Sequence, residues 1–353
     1  MKTSELDYPL PTELIAQEAV EPRDSSRLLV IHRDTGALEH RIFHDIGAYL
    51  RPGDLLVANE TRVIPARLFG RKEPTGGKVE LLLLRPLDDT RWYALVGGAR
   101  TRIGTRIRLW HGEEPTAITA EITETGERGA RVLAFSEPLE PHLDEIGSIP
   151  LPPYIHQPLD EPERYQTIYS RTPGSAAAPT AGLHFTSDLM LALRDQGVQF
   201  AFVTLHVGLD TFRPITEETL EAHQIHREWA RLTPEVAAQI NQAKVRGGRV
   251  IAVGTTSVRV LETAARHGLL QAPDGTCPWR ALAPYEGFTD LYITPGFQFR
   301  VVDAMITNFH LPRSSLLALV MAFAGVGLIR KAYAEALRER YRFFSFGDAC
   351  LML

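Results

Sequence analysis

Cysteine is almost missing from this chain: 353 residues contain two, Cys277 and Cys350, with no CxxC pair. That excludes a disulfide framework and a thiolate zinc site, and it suits a reducing cytoplasm, the expected location. Excess positive charge is missing too. The formal net charge of −5 argues against a general basic coat for nucleic acid but leaves room for a local patch. The opening MKTSELDYPLPTELIAQ has acids and prolines where an export signal needs an apolar core. The most apolar run, Leu316 to Ile329, is fourteen residues long, too short to cross a bilayer, so one buried core helix and no membrane partner are expected. No GxGxxG follows a strand, and GxxxxGK[ST], GxSxG and HExxH do not occur. Dinucleotide oxidoreductases, P-loop kinases, α/β-hydrolases and zincins are therefore poor candidates, and no metal is expected.

What is present alternates between two textures. Residues 64–149 hold short strand-like runs, KVELLLLRP, RWYALVGG, TRIRLW, AITAEITET and ARVLAFS, separated by turn signals. That spacing predicts a small β-barrel inserted into another domain. Residues 1–63 and 150–353 are expected to form that discontinuous α/β catalytic domain, with a mostly parallel sheet. After residue 150, strands VQFAFVTLHVG, RVIAVG and FRVVDAMITNF alternate with helices SDLMLALRDQG, LTPEVAAQINQAKVRGG and TTSVRVLETAARHG. Thr233 before Pro234 at a first helical position marks one start, and Gly247 marks its end.

Chemistry gathers in three places, APTAGLHFTSD, AVGTTSVR and ITNFHLPRSS, each with small or hydroxyl residues just before a helix start. Loops at the carboxyl ends of α/β strands face one crevice, and helix N-termini hold anions. Ordinary Ser/Thr capping explains each alone. His184, His206 and His310 lie at predicted strand ends or loops beside these sites. In EAHQIHREW, helical spacing would put His223 and His226 on one face, while a strand would not. Five arginines and no acid lie between Arg91 and Arg108. Arg100 and Arg102, like Arg106 and Arg108, would share a face on strands. Residues alone thus give an α/β enzyme with an inserted β domain and an open-crevice site of His, Thr, Ser, Asn and Asp.

The segments YPLPTELIAQ, PGDLLVANETRVIPARL, GSAAAPTAGLHFT, VTLHVGLDTFRP, GGRVIAVGTTSVRVLE, ITNFHLPRSSLLALV and YRFFSFGDA carry a resemblance. From residue 8 to the C-terminus, the chain resembles the S-adenosylmethionine:tRNA ribosyltransferase-isomerase family of queuosine biosynthesis. It departs from the family pattern at LDTF, IHRE and DLYITPG, so Asp210 and Ile225 are not carried over. The resemblance implies transfer and isomerisation of the ribosyl moiety of S-adenosylmethionine onto 7-aminomethyl-7-deazaguanine at the wobble position of tRNA. The product is epoxyqueuosine-tRNA, and adenine and methionine leave. It implies no bound cofactor, since S-adenosylmethionine is consumed as a substrate.

That reaction assigns expected roles. His184 and His310 are expected to transfer protons, with His206 as second choice and Asp303 as an orienting carboxylate. Gly254, Thr255, Thr256, Ser257 and Arg259 suit the methionine carboxylate or a phosphate. Thr180, Ala181, Gly182, Phe185 and Asn308 suit the sugar or adenine. Arg100, Arg102, Arg106 and Arg108 are candidates for tRNA, with Arg330, Lys331, Arg338, Arg340 and Arg342 as a second patch. A splayed wobble base could stack on Tyr285 or Phe288, although core packing is favoured for Phe288. A nucleoside hydrolase without RNA and a non-enzymatic RNA adaptor are the rival readings, and a monomer is expected.

Overall fold

A computed structural model describes residues 1–126, 129–159, 161–208, 214–225, 227–271 and 282–353. The chain divides into two compact units. One comprises Met1–Thr61, Pro153–Thr172 and Ala178–Leu353, and the other Arg62–Pro152 and Pro173–Ala177.

The first unit is built on strands β1 (Arg27–Ile31), β2 (Leu38–Ile42) and β3 (Leu55–Asn59) from the N-terminal stretch. After β4 to β11, which are given below, come β12 (Gln199–Leu205), β13 (Glu228–Leu232), β14 (Val250–Val253), β15 (Tyr285–Thr289), β16 (Ala304–Asn308) and β17 (Ala349–Met352). They form one nine-stranded sheet in the order β15-β13-β12-β3-β14-β16-β17-β1-β2. The run β12-β3-β14-β16 is parallel, as is β1 with β17. The pairs β16–β17, β1–β2, β12–β13 and β13–β15 are antiparallel. The sheet is therefore mixed, which corrects the expectation of a mostly parallel one. The parallel centre reads as continuous apolar runs, since helices cover both faces. The added strand β17 is equally buried along its length, so its sequence does not mark its antiparallel pairing with β16. Leu28, Val30, Leu56, Ile251, Ile306 and Leu351, all fully buried, form the core with Phe43, Phe185 and Leu193.

In the second unit, β5 (Arg67–Glu73), β6 (Lys78–Pro86), β7 (Arg91–Val96), β8 (Arg106–His111), β9 (Glu114–Thr125) and β10 (Ala130–Phe135) close into an antiparallel barrel. Alternation drives it: Ile107 and Leu109 point inward from β8 while Arg106 and Arg108 point out. Leu143 and Ile146 of the short helix α1 (Leu143–Ile146) join the same core. Strands β4 (Thr61–Val63) and β11 (Thr172–Ser175) pair with one another.

Helices α2 (Ser187–Asp195) and α3 (Pro234–Val245) start as their sequences predict. The Thr186 hydroxyl accepts from the Leu189 N–H, and the Thr233 hydroxyl from the Val236 N–H. Helix α4 (Thr255–Gln271) follows β14. The apolar run expected as one helix is two, α5 (Ser315–Ala324) and α6 (Val326–Arg338), bent by 114°. The break falls at Gly325, whose φ of +90° suits a residue without Cβ. No single helix among the described residues is long and apolar enough to cross a membrane.

Candidate active site

An open cavity of about 620 Å³, mouth and open solvent included, lies where β12, β14 and β16 end. Val207 lines it after β12, Gly254, Thr255 and Thr256 after β14, and Asn308 and His310 at the end of β16. Thr180 and Ala181, from the small-residue stretch, close another side. This is the crevice that α/β topology sets at carboxyl strand ends.

Local chemistry explains each placement. Gly254 turns β14 into α4 with a φ of +88°, and its N–H donates to the Ile306 carbonyl at 2.8 Å. The first amides of α4 then face the cavity without partners of their own helix. Thr256 Oγ1 is buried there with no hydrogen-bond partner among the described residues. Such an atom is costly to leave unsatisfied and suits a polar ligand group. Gly182 is small for a different reason. A Cβ on it would stand 2.1 Å from the Tyr169 hydroxyl.

The two leading histidines have different surroundings. The His310 ring lines the cavity, and its Nε2 meets the Thr307 hydroxyl at 3.0 Å. Its Nδ1 has no protein hydrogen-bond partner among the described residues. Burial lowers its pKa from the ordinary 6.5 to about 3, so the ring is neutral near pH 7.

His184 lies beneath the cavity wall, stacked on Phe43 with ring centroids 5.0 Å apart. Its Nδ1 meets Ser26 Oγ at 2.7 Å and its Nε2 meets Asn308 Nδ2 at 3.2 Å. The same Asn308 amide nitrogen donates to the Phe344 carbonyl at 3.1 Å, and Asn308 Oδ1 accepts from the Thr180 hydroxyl at 3.1 Å. That fixes the amide orientation, so Nε2 of His184 accepts and Nδ1–H donates to Ser26. Burial, then the charges of Arg342 and Arg23, lower its pKa to about 3. Both ring nitrogens are engaged, so His184 supports Asn308 and Thr180 and does not itself face a substrate.

Other expected residues part company with the site. Asp303 precedes β16, at the end of the sheet opposite the cavity, where it binds Lys244 at 2.7 Å and the Val250 N–H at 2.7 Å. It orients no histidine. Buried Arg259 pairs with Glu228 and donates to the Leu291 carbonyl, so its guanidinium is committed inside the fold. Ser257 turns its hydroxyl back onto the Val253 carbonyl, and Phe185 packs in the core. His206 is half-buried, stacks on Trp229 and meets Thr61 Oγ1 at 2.8 Å; burial lowers its pKa to about 4. His223 pairs with Glu217 at 3.0 Å outside any α-helix, and no metal-binding cluster exists among the described residues. His226, Asp210 and Cys277 lie outside the described residues.

Two aromatic wall residues had no expected role. Tyr154 and Phe344 line the cavity with ring centroids 4.7 Å apart, and the Tyr154 hydroxyl meets Ser345 Oγ at 2.8 Å. Phe344 has a φ of +72°, a strained choice for a bulky residue. Its segment, YRFFSFGDA, is conspicuous in the sequence, but nothing there announces a left-handed Phe.

In the barrel, Arg106 and Arg108 do share the outer face of β8, paired with Glu121 at 3.2 Å and Glu73 at 2.8 Å. Arg100 and Arg102 lie in the turn before β8, not on a strand, and Arg100 has a φ of +59°. In the second patch, Arg330 donates to the Glu5 carbonyl, Lys331 to the Gly36 carbonyl and Arg342 to the Glu18 carbonyl. Arg338 pairs with Glu335, and Arg340 has a φ of +53°.

A family model described as "Queuosine biosynthesis protein" matches residues 3–352. The chain belongs to the queuosine biosynthesis protein family. A family relative from Symbiobacterium thermophilum, named S-adenosylmethionine:tRNA ribosyltransferase-isomerase, is 53% identical over all of both chains. One of the same name from Dehalococcoides mccartyi is 51% identical, again over all of both. The crystal structure of an S-adenosylmethionine tRNA ribosyltransferase from Thermotoga maritima is 42% identical, with a TM-score of 0.56, and covers 99% of this chain and 100% of its own.

Proposed function

We propose that this member of the family consumes S-adenosylmethionine as a substrate, without a bound cofactor, and moves its ribosyl moiety, isomerised, onto 7-aminomethyl-7-deazaguanine at the wobble position of tRNA. Epoxyqueuosine-tRNA forms, and adenine and methionine leave. The observation that supports this most is the cavity itself. It joins a neutral imidazole with one ring nitrogen open, a set of open helix amides and an aromatic wall at one crevice.

Each part meets a demand of the reaction. The carbon beside the sulfonium gives up a proton, and adenine leaves more readily when a ring nitrogen gains one. His310, facing the cavity with its Nδ1 open, is placed to carry a proton between the two sites. The α4 amides and Thr255 suit the methionine carboxylate. Tyr154 and Phe344 suit the adenine ring. His184 acts at one remove, holding Asn308 and Thr180 in place.

The test is to mix enzyme, S-adenosylmethionine and an anticodon stem-loop bearing the modified base. Adenine should appear in step with one ribosyl-sized mass gain on the RNA. Adenine without that gain would indicate a nucleoside hydrolase, and RNA binding without adenine would indicate an adaptor.

A further inference from the structure

Sequence patterning favours burying Phe288, yet its side chain is 42% exposed. It stands on the edge strand β15 directly opposite Trp229 of β13, and residues directly opposite share a face. Trp229 in turn lies nearly parallel to the His206 ring, with centroids 5.1 Å apart and planes at 17°. Three rings thus form a row across β15, β13 and the end of β12. Ala230 and Leu232 point to the other face and are buried.

Cations flank the row. The Arg227 guanidinium stands over the Phe288 ring, 5.5 Å from its centroid. Arg231, two residues beyond Trp229 on the same face, sits 3.6 Å from exposed Glu286. The His206 end of the row is held by the Thr61 hydroxyl, and the next residue, Val207, lines the cavity.

We propose that this row is a stacking ledge for unpaired bases of the RNA substrate, leading the reacting base to the cavity. The proposal rests on the tRNA-directed function given above. Flat rings beside arginines match the chemistry of single-stranded RNA, whose bases stack and whose phosphates seek cations. A paired helix keeps its bases stacked inside and gains little from such a ledge. The barrel has its own ring pair, exposed Phe69 opposite half-buried Trp110, with Arg71 stacked on the tryptophan. It is the rival surface.

The experiment compares wild type with Phe288→Ala, Phe288→Tyr and Arg227→Ala, all at exposed positions that leave the core intact. Affinity is measured for the stem-loop bearing 7-aminomethyl-7-deazaguanine and for a blunt RNA duplex of equal length. Phe288→Ala should weaken stem-loop binding on the order of tenfold, Phe288→Tyr should restore it, and duplex binding should stay unchanged. A stem-loop with 5-iodouridine beside the modified base should crosslink to peptides holding Trp229 or Phe288. Wild-type affinity in Phe288→Ala, or crosslinks at Phe69 and Trp110 instead, overturns the ledge while ribosyl transfer by the wild type still stands. A wild type that neither binds nor modifies the stem-loop overturns the function, and the ledge with it.

Discussion

Asn308 Nδ2 donates to His184 Nε2 at 3.2 Å, and this bond takes the only free lone pair of the imidazole. The chain Ser26–His184–Asn308–Thr180 continues it to the cavity wall. A histidine so placed sets geometry.

Replacing His184 with Ala removes an acceptor for Asn308 and a donor for Ser26. Stranding those buried groups should cost about 1–3 kcal/mol of stability, read from urea midpoints. Turnover should fall because Thr180 and Asn308 lose their support, while any histidine limb of the pH–rate profile stays where it is. Disappearance of that limb would return His184 to proton transfer.

His310→Gln keeps the volume and removes the base. Turnover should fall at least about a hundredfold, with S-adenosylmethionine affinity within a few-fold, measured by adenine release and by equilibrium binding. Near wild-type turnover would take His310 out of the mechanism.

Burial holds both histidines at about 3, against 6.5 in the unfolded chain. Between those values the unfolded chain binds protons that the folded chain refuses. Stability from this source is therefore complete above about pH 6.5 and is lost as pH falls toward 3. Each histidine should add up to about 1.4 kcal/mol per pH unit to that slope. Urea midpoints of wild type and His184→Asn from pH 7.5 to 5 check this, and the variant's slope should be shallower.

Arg259 and Glu228 are a buried pair. Arg259→Ala leaves a carboxylate without its partner and should cost about 3–5 kcal/mol, seen by denaturation. S-adenosylmethionine KM, measured where the variant is folded, should barely move. Thr255→Val, at the cavity, should raise KM several-fold with little loss of stability.

The legible parts of the fold were those with a local cause. Short strand-like runs between turn signals announced the barrel, and Thr233 and Gly247 announced helix ends. The reversal at β17, antiparallel to β16 and parallel to β1, left no mark, because Ala349 to Met352 is buried on both faces like a central parallel strand. At the site, Thr180, Ala181, Gly254, Thr255, Thr256, Asn308 and His310 were legible as residues of loops leading into helices and do gather at one cavity. Asp303 and Arg259 were not separable from them. Their partners, Lys244 and Glu228, lie 59 and 31 residues away in sequence. Only the fold shows that each is already spoken for.

The most direct measurement follows two isotopic forms of S-adenosylmethionine, one labelled with carbon-13 throughout the ribose and one in the methyl group. The modified anticodon stem-loop should acquire the full ribose label and none from the methyl. Methyl label in the RNA, or adenine released with no label transferred, would contradict ribosyl transfer by this protein.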